Sequence, residues 1–128
     1  PNYRVPEAFA RALVTVHIPR RPYVEALPGI PTIRMFEALA CGIPLVSCWW
    51  HDSEGLFRTD RDYLSVDTPA AMVRALHDLL NDHALAAAVS RSGRDTILAR
   101  HTCAHRVEEL LAIVAEVSSE PLHKALTV

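Results

Sequence analysis

The stretch that decides the fold runs from Gly29 to Cys48: G-I-P-T-I-R-M-F-E-A-L-A-C-G-I-P-L-V-S-C. It reads as a loop, a short helix, a Gly-Ile-Pro stop and a buried strand. Thr32 suits the N-cap, because its hydroxyl can accept a hydrogen bond from a free amide of the first turn. Ile33, Phe36 and Ala40 recur at helical spacing and predict an apolar face. Gly42 fits the left-handed residue just past a helix end, and Pro44 forbids continuation. Leu45 and Val46 then belong to a short apolar strand. Glu37 lies one turn after Ile33, beside the apolar stripe, where a carboxylate needs a hydrogen-bonding partner or water.

On either side of this unit the pattern alternates. Upstream, Pro6 to Ala12 predicts a short helix, and Leu13 to Ile18 a strand that Pro19 ends. Arg20 to Pro31 holds three prolines and a glycine and reads as a loop, longer than a plain connection needs. Downstream, Trp49 to Gly55 is a polar and aromatic loop, with one turn of helix into Leu56 and Phe57. Tyr63 to Val66 predicts a third strand. Thr68-Pro69 supplies an N-cap and a proline at the first helical position. That helix runs to about Leu80, with Met72, Leu76 and Leu79 or Leu80 inward. Asp82 caps the next helix, which reaches about Ala99 with a bend near Ser92-Gly93. Thr102 caps the last, with Val107, Leu110, Leu111 and Val114 inward, and residues 119–128 form a frayed tail. Strands separated by helices or turns give an α/β fold: a parallel sheet of about three strands, flanked by helices and followed by C-terminal helices. Three strands make a thin sheet, so residues 1–118 read as the C-terminal part of a larger α/β domain.

At 128 residues the chain is one domain or part of one. Thirteen Lys and Arg face fifteen Asp and Glu, and the net charge of -2 argues against a nucleic-acid footprint. Nearly all the basic residues are arginine, a planar donor suited to phosphate or carboxylate. Cys41, Cys48 and Cys103 match no zinc or redox spacing; Cys41 and Cys48 sit in the apolar unit and read as small buried thiols, and a reducing, cytoplasmic setting is expected. No apolar run of about eighteen residues exists, so no transmembrane segment is expected, and peripheral membrane contact stays open. No signal peptide is evident. A start at Pro1 fits either a removed initiator Met or a fragment of a longer protein.

Thr32 to Val46, T-I-R-M-F-E-A-L-A-C-G-I-P-L-V, resembles the nucleotide-sugar-binding segment of GT-B glycosyltransferases. The Arg-x-Phe-Glu-Ala form, with Trp-Trp, Gly-Leu-Phe and later Arg-His-Thr, looks like the spore-maturation-protein (CgeB-like) branch. The match covers roughly residues 6 to 116 in order. It implies the Rossmann-like C-terminal half of a two-domain enzyme, holding a nucleotide diphosphate sugar, with an N-terminal domain for the acceptor. Glu37 matches the glutamate that hydrogen-bonds the ribose hydroxyls. Thr32, Ile33 and Arg34 match the helix start whose amides approach the diphosphate. Many retaining members carry a second glutamate eight positions earlier; here that position is Gly29. The resemblance implies no cofactor and no divalent metal for the chemistry.

The residues themselves admit two readings at each place. The Glu37 carboxylate can accept from two vicinal hydroxyls at once, or pair with Arg34 on the surface. Arg34 sits in a first helical turn, where the macrodipole disfavours a cation unless an anion is bound; otherwise it swings to Glu37 or Asp52. Arg20 and Arg21 follow a strand end, where ligands of open α/β sheets gather, and can face a diphosphate, the missing domain or solvent. Trp49, Trp50, His51, Asp52 and Glu54 follow the next strand end. One Trp, with Trp50 chosen, is expected to meet the base or sugar, and Asp52 to hold hydroxyls. His101 and His105 flank Cys103, but a helix start falls between them and no third metal ligand is evident. His17 reads as a hydrogen-bonded structural residue in a strand. The absence of Gly-x-Gly-x-x-Gly, Walker and Gly-x-Ser-x-Gly motifs weakens dehydrogenase, ATPase and hydrolase readings. The rivals to a transferase are a non-catalytic nucleotide- or sugar-sensing module and an interaction domain without a ligand.

Overall fold

The computed structural model describes residues 2–119. A 3-10 turn (Asn2–Arg4) leads into helix α1 (Val5–Phe9), strand β1 (Thr15–His17), and helices α2 (Arg21–Ala26) and α3 (Ile33–Cys41). Strands β2 (Leu45–Cys48) and β3 (Leu64–Val66) follow, then helices α4 (Pro69–Asn81), α5 (His83–Arg100) and α6 (Cys103–Ser119). The strands form one parallel sheet in the order β1-β2-β3. Thr15 pairs with Leu45, and Val46 with Leu64. This is the α/β arrangement read from the sequence, a partial Rossmann-like sheet with helices on its faces.

The deciding stretch folds as its punctuation dictates. Gly42 adopts the left-handed conformation (φ 68°, ψ 32°). Its N–H donates to the Leu39 carbonyl and that of Ile43 to the Ala38 carbonyl, which satisfies the last carbonyls of α3. Ile43 is buried behind the cap, and Pro44 delivers the chain into β2.

Neighbouring β2 side chains point to opposite faces, and each face has its own core. Leu45 joins Met35, Ala38 and Leu39 of α3, with Phe57, Tyr63 and Ile97. Val46 joins Ala75 and Leu79 of α4 and Val89 of α5. Helix α5 therefore serves both faces, and Gly93 sits where it passes α3. A Cβ at Gly93 would lie 2.6 Å from Leu39 Cδ2 and 2.7 Å from the Asp62 carbonyl oxygen. Beside that contact Asp62 is fully buried. Its carboxylate accepts from the Arg58 amide and guanidinium and from the Ser92 and Thr96 hydroxyls. Burial alone would push its pKa up, but the Arg58, Ser92 and Thr96 bonds together outweigh that and hold it below the ordinary 3.8.

Several expectations are corrected. Arg20 to Pro31 is not all loop, because Pro22 sits in the first turn of α2, where its missing N–H costs nothing. The buried face of α3 is Met35, Ala38 and Leu39, while Ile33 is 69% exposed and Ala40 is exposed. Apolar residues occupy more of that helix than one stripe, and the sheet and α5 select which side is covered. The strand expected over Leu13 to Ile18 pairs only at Thr15–His17. Residues 49–57 contain no helical turn. The glycine at 93 marks close packing inside one continuous helix. Leu80 is exposed. Val107, Leu110, Leu111 and Val114 are all more than half exposed, because among the described residues nothing lies against that stripe of α6. The caps at Thr68 and Asp82 form as read, accepting from the Ala71 and Leu85 amides. The tail expected over 119–128 lies, beyond Ser119, outside the described residues.

Candidate functional site

β1 is an edge strand, and a cavity of about 710 Å³ runs along its open side and around its carboxyl end. The part beside Thr15 and Val16 is a groove along an unpaired strand edge, where another strand would pair. The part beyond His17 is different in kind. It lies at the carboxyl end of a parallel sheet, where ligands of such folds bind. Arg20, Tyr23, Thr32, Ile33 and Arg34 border it. A smaller cavity of about 160 Å³ adjoins it, between the α2–α3 connection and Trp49, Trp50 and His51. His17, Tyr23 and Thr32 line both.

Thr32 occupies the N-cap position of α3 with extended backbone, yet its hydroxyl makes no capping bond. It pairs instead with His17 Nε2 at 2.9 Å. The cap predicted from the sequence is therefore replaced by a contact across the fold; the Met35 amide donates to the Thr32 carbonyl, and the Thr32 side chain caps no amide of the first turn of α3. Arg34 borders the cavity, lies 5.9 Å above the Phe9 ring and pairs with Glu37 Oε2 at 3.3 Å. Glu37 lines neither cavity. Its Oε2 is buried and faces Arg34 without hydrogen-bond alignment.

The expected residues thus divide. Arg20, Thr32, Ile33 and Arg34 come together at the larger cavity, and Trp50 reaches the smaller one. Arg21 is exposed at the start of α2 and borders neither. Asp52 borders neither; its Oδ2 accepts from the Phe57 amide and ties down the loop after β2. Trp50 also packs on the core, with its indole N–H beside the Tyr63 hydroxyl but unaligned for a hydrogen bond, while Trp49 is 64% exposed at the smaller cavity. Gly29 has φ 83°, and a Cβ there would lie 2.8 Å from Ser53 Oγ and 3.1 Å from the His51 carbonyl oxygen. A side chain at that position is opposed by both backbone and space.

Two cavity residues carry no binding signal in the sequence. Tyr23 lies in the Arg20 to Pro31 stretch, where Pro22 in a first helical turn is the one sign of α2. His17 is the hydrogen-bonded structural residue its strand position predicts, 4% exposed and bonded at both ring nitrogens, and it also walls both cavities. Burial lowers its pKa below the ordinary 6.5. His101 Nε2 donates to the Leu56 carbonyl oxygen, and His105 pairs with Thr102. Among the described residues no three His, Cys, Asp or Glu side chains gather as a metal site. None of the described helices is long and apolar enough to cross a membrane.

The chain matches the glycosyl transferase-like family over residues 1–112, most of its length, and belongs to that family. No curated protein and no solved structure matches it.

Proposed function

We propose that this chain is the donor-binding part of a GT-B glycosyltransferase of the CgeB-like kind, which moves a sugar from a nucleotide diphosphate sugar to an acceptor held by a preceding domain. One observation carries the reading. Among the described residues the larger cavity is bordered by Arg20 and Arg34 and by no Asp or Glu, in a chain whose acids outnumber its bases. A cavity of this polarity favours an anion. The diphosphate sits between the two guanidiniums and the uncapped amides of α3, and these donors offset charge on the departing nucleotide. Glu37, next to Arg34, takes the ribose hydroxyls when Arg34 turns to the diphosphate. Trp50 and its neighbour Trp49 offer ring faces in the smaller cavity for base or sugar. The three free thiols support a reducing, cytoplasmic setting.

Calorimetric titration with uridine, guanosine and adenosine diphosphates tests the reading. At least one is expected to bind, and Arg20→Ala or Arg34→Ala to weaken it by about tenfold or more, the loss of one charged hydrogen bond. Failure of all three to bind refutes it. Transfer needs a cleft between two domains, so the chain alone is expected to bind without turnover.

A further inference from the structure

His17 Nδ1 lies 2.9 Å from Ser47 Oγ, and Nε2 lies 2.9 Å from Thr32 Oγ1. Ser47 has one hydroxyl proton and donates it to the Cys48 carbonyl oxygen at 2.8 Å. The proton between His17 and Ser47 therefore belongs to Nδ1, which donates to Ser47 Oγ. A neutral ring protonated at Nδ1 has an accepting Nε2, so Thr32 donates its hydroxyl proton to His17. With the cavity empty, Thr32 turns only lone pairs toward a ligand. That suits a hydroxyl and repels a phosphate oxygen.

We infer that His17 is a positioning residue: when an anion enters the larger cavity, His17 takes up a proton at Nε2 and frees the Thr32 hydroxyl to donate to the anion. The role rests on the diphosphate reading of the cavity and adds to it a residue and a proton. After uptake, His17 donates from both nitrogens, to Ser47 Oγ and to Thr32 Oγ1, and both oxygens have lone pairs to accept. One proton comes from solvent, none leaves, and the Thr32 proton only rotates. Both protonation states of the buried ring are therefore fully hydrogen-bonded, which is the condition for a buried group to change charge at low cost.

The groups around the ring and its cavities set the sign. Ser47 of β2 and Thr32 before α3 touch the ring, and Arg20, Tyr23, Arg34 and His51 border the cavities it walls; among the described residues no carboxylate borders either. Burial lowers the His17 pKa and opposes a charged ring when no anion is bound. A bound anion favours the proton. Affinity for the anion should then rise as pH falls from the bound-state pKa of His17 to its free-state pKa, by up to about tenfold per pH unit.

Site-resolved NMR titration of the 128-residue chain tests this. His17 and His51 are followed separately in chloride, in sulfate at equal ionic strength, and with uridine diphosphate glucose, whose diester phosphates keep their charge through the range. The amides of Thr32, Ile33 and Arg34 report anion binding independently. The free chain is expected to show His17 neutral and protonated at Nδ1. With either anion, its midpoint is expected to rise by about one pH unit or more. Thr32→Ser should keep that rise, and Thr32→Val should bind the anion with most of the rise lost. A free chain protonated at Nε2, or amide shifts with an unmoved His17 midpoint, overturns the coupling and leaves the anion site standing. An equal rise in Thr32→Val overturns the passage through the hydroxyl. Amides that respond to neither probe overturn the anion site, and the role of His17 with it.

Discussion

Glu37 aims one carboxylate oxygen at Arg34, 3.3 Å away, with side chains 45% and 26% exposed for Arg34 and Glu37. A partly exposed pair without hydrogen-bond alignment contributes less than about 1 kcal/mol, and Glu37→Gln should leave the thermal melt nearly unchanged. In the donor-binding reading, the same substitution is expected to weaken nucleoside diphosphate binding roughly ten- to a hundredfold. A 2′,3′-dideoxy nucleotide should bind wild type and variant alike, since the hydroxyls are gone; calorimetry measures both. Glu37 was legible as a carboxylate beside an apolar stripe. Asp62 was not, because two of the hydroxyls that make its burial tolerable, on Ser92 and Thr96, are 30 and 34 residues further along the chain. Nor was the turning of Thr32 toward His17, which needs the β1–α3 contact to exist first.

At the scale of elements, the crossing of α3 and α5 depends on a residue with no side chain. Gly93→Ala puts a methyl group against Leu39 and against backbone at Asp62, and backbone cannot step aside. Overpacking of this kind costs about 1–3 kcal/mol, and it should appear as a lower denaturation midpoint with helix content retained. Start and stop chemistry was readable locally, so the caps at Thr68 and Asp82 and the left-handed stop at Gly42 appear where the residues place them. Faces were less readable. Periodicity says that α3 has a buried side, but only the sheet and α5 decide that it is Met35, Ala38 and Leu39 rather than Ile33 and Ala40. The apolar stripe of α6 makes the same point: periodicity marks an apolar side without supplying a surface to cover it.

For the whole molecule, acid should act in two stages. His17 has a folded pKa below its ordinary 6.5, so the unfolded chain binds more protons between those values. Stability is full above about 6.5 and falls as pH drops toward the folded pKa of His17. Asp62 has a folded pKa below 3.8, so its contribution is present above that value and is lost as pH falls through the lower folded one. Melting temperatures measured from neutral to strongly acidic pH should fall in both windows, and Asp62→Asn should remove the second. The parallel sheet has a further consequence, in the order of assembly. Thr15 must find Leu45, and Val46 must find Leu64, whereas α4 and α5 are joined through Asp82 alone. Local contacts form quickly and distant pairings slowly, so the α4–α5 hairpin is expected to nucleate folding and the strands to register on it last. Synthesis runs the other way, delivering β1 first and α5 late. A chain leaving the ribosome therefore holds β1, α3 and β2 without the helix that supplies Val89 and Ile97 to their two cores. The cavity beside His17 should accordingly be absent from a chain that stops at Asp82, which hydrogen exchange at the β2 amides would reveal as a lack of protection.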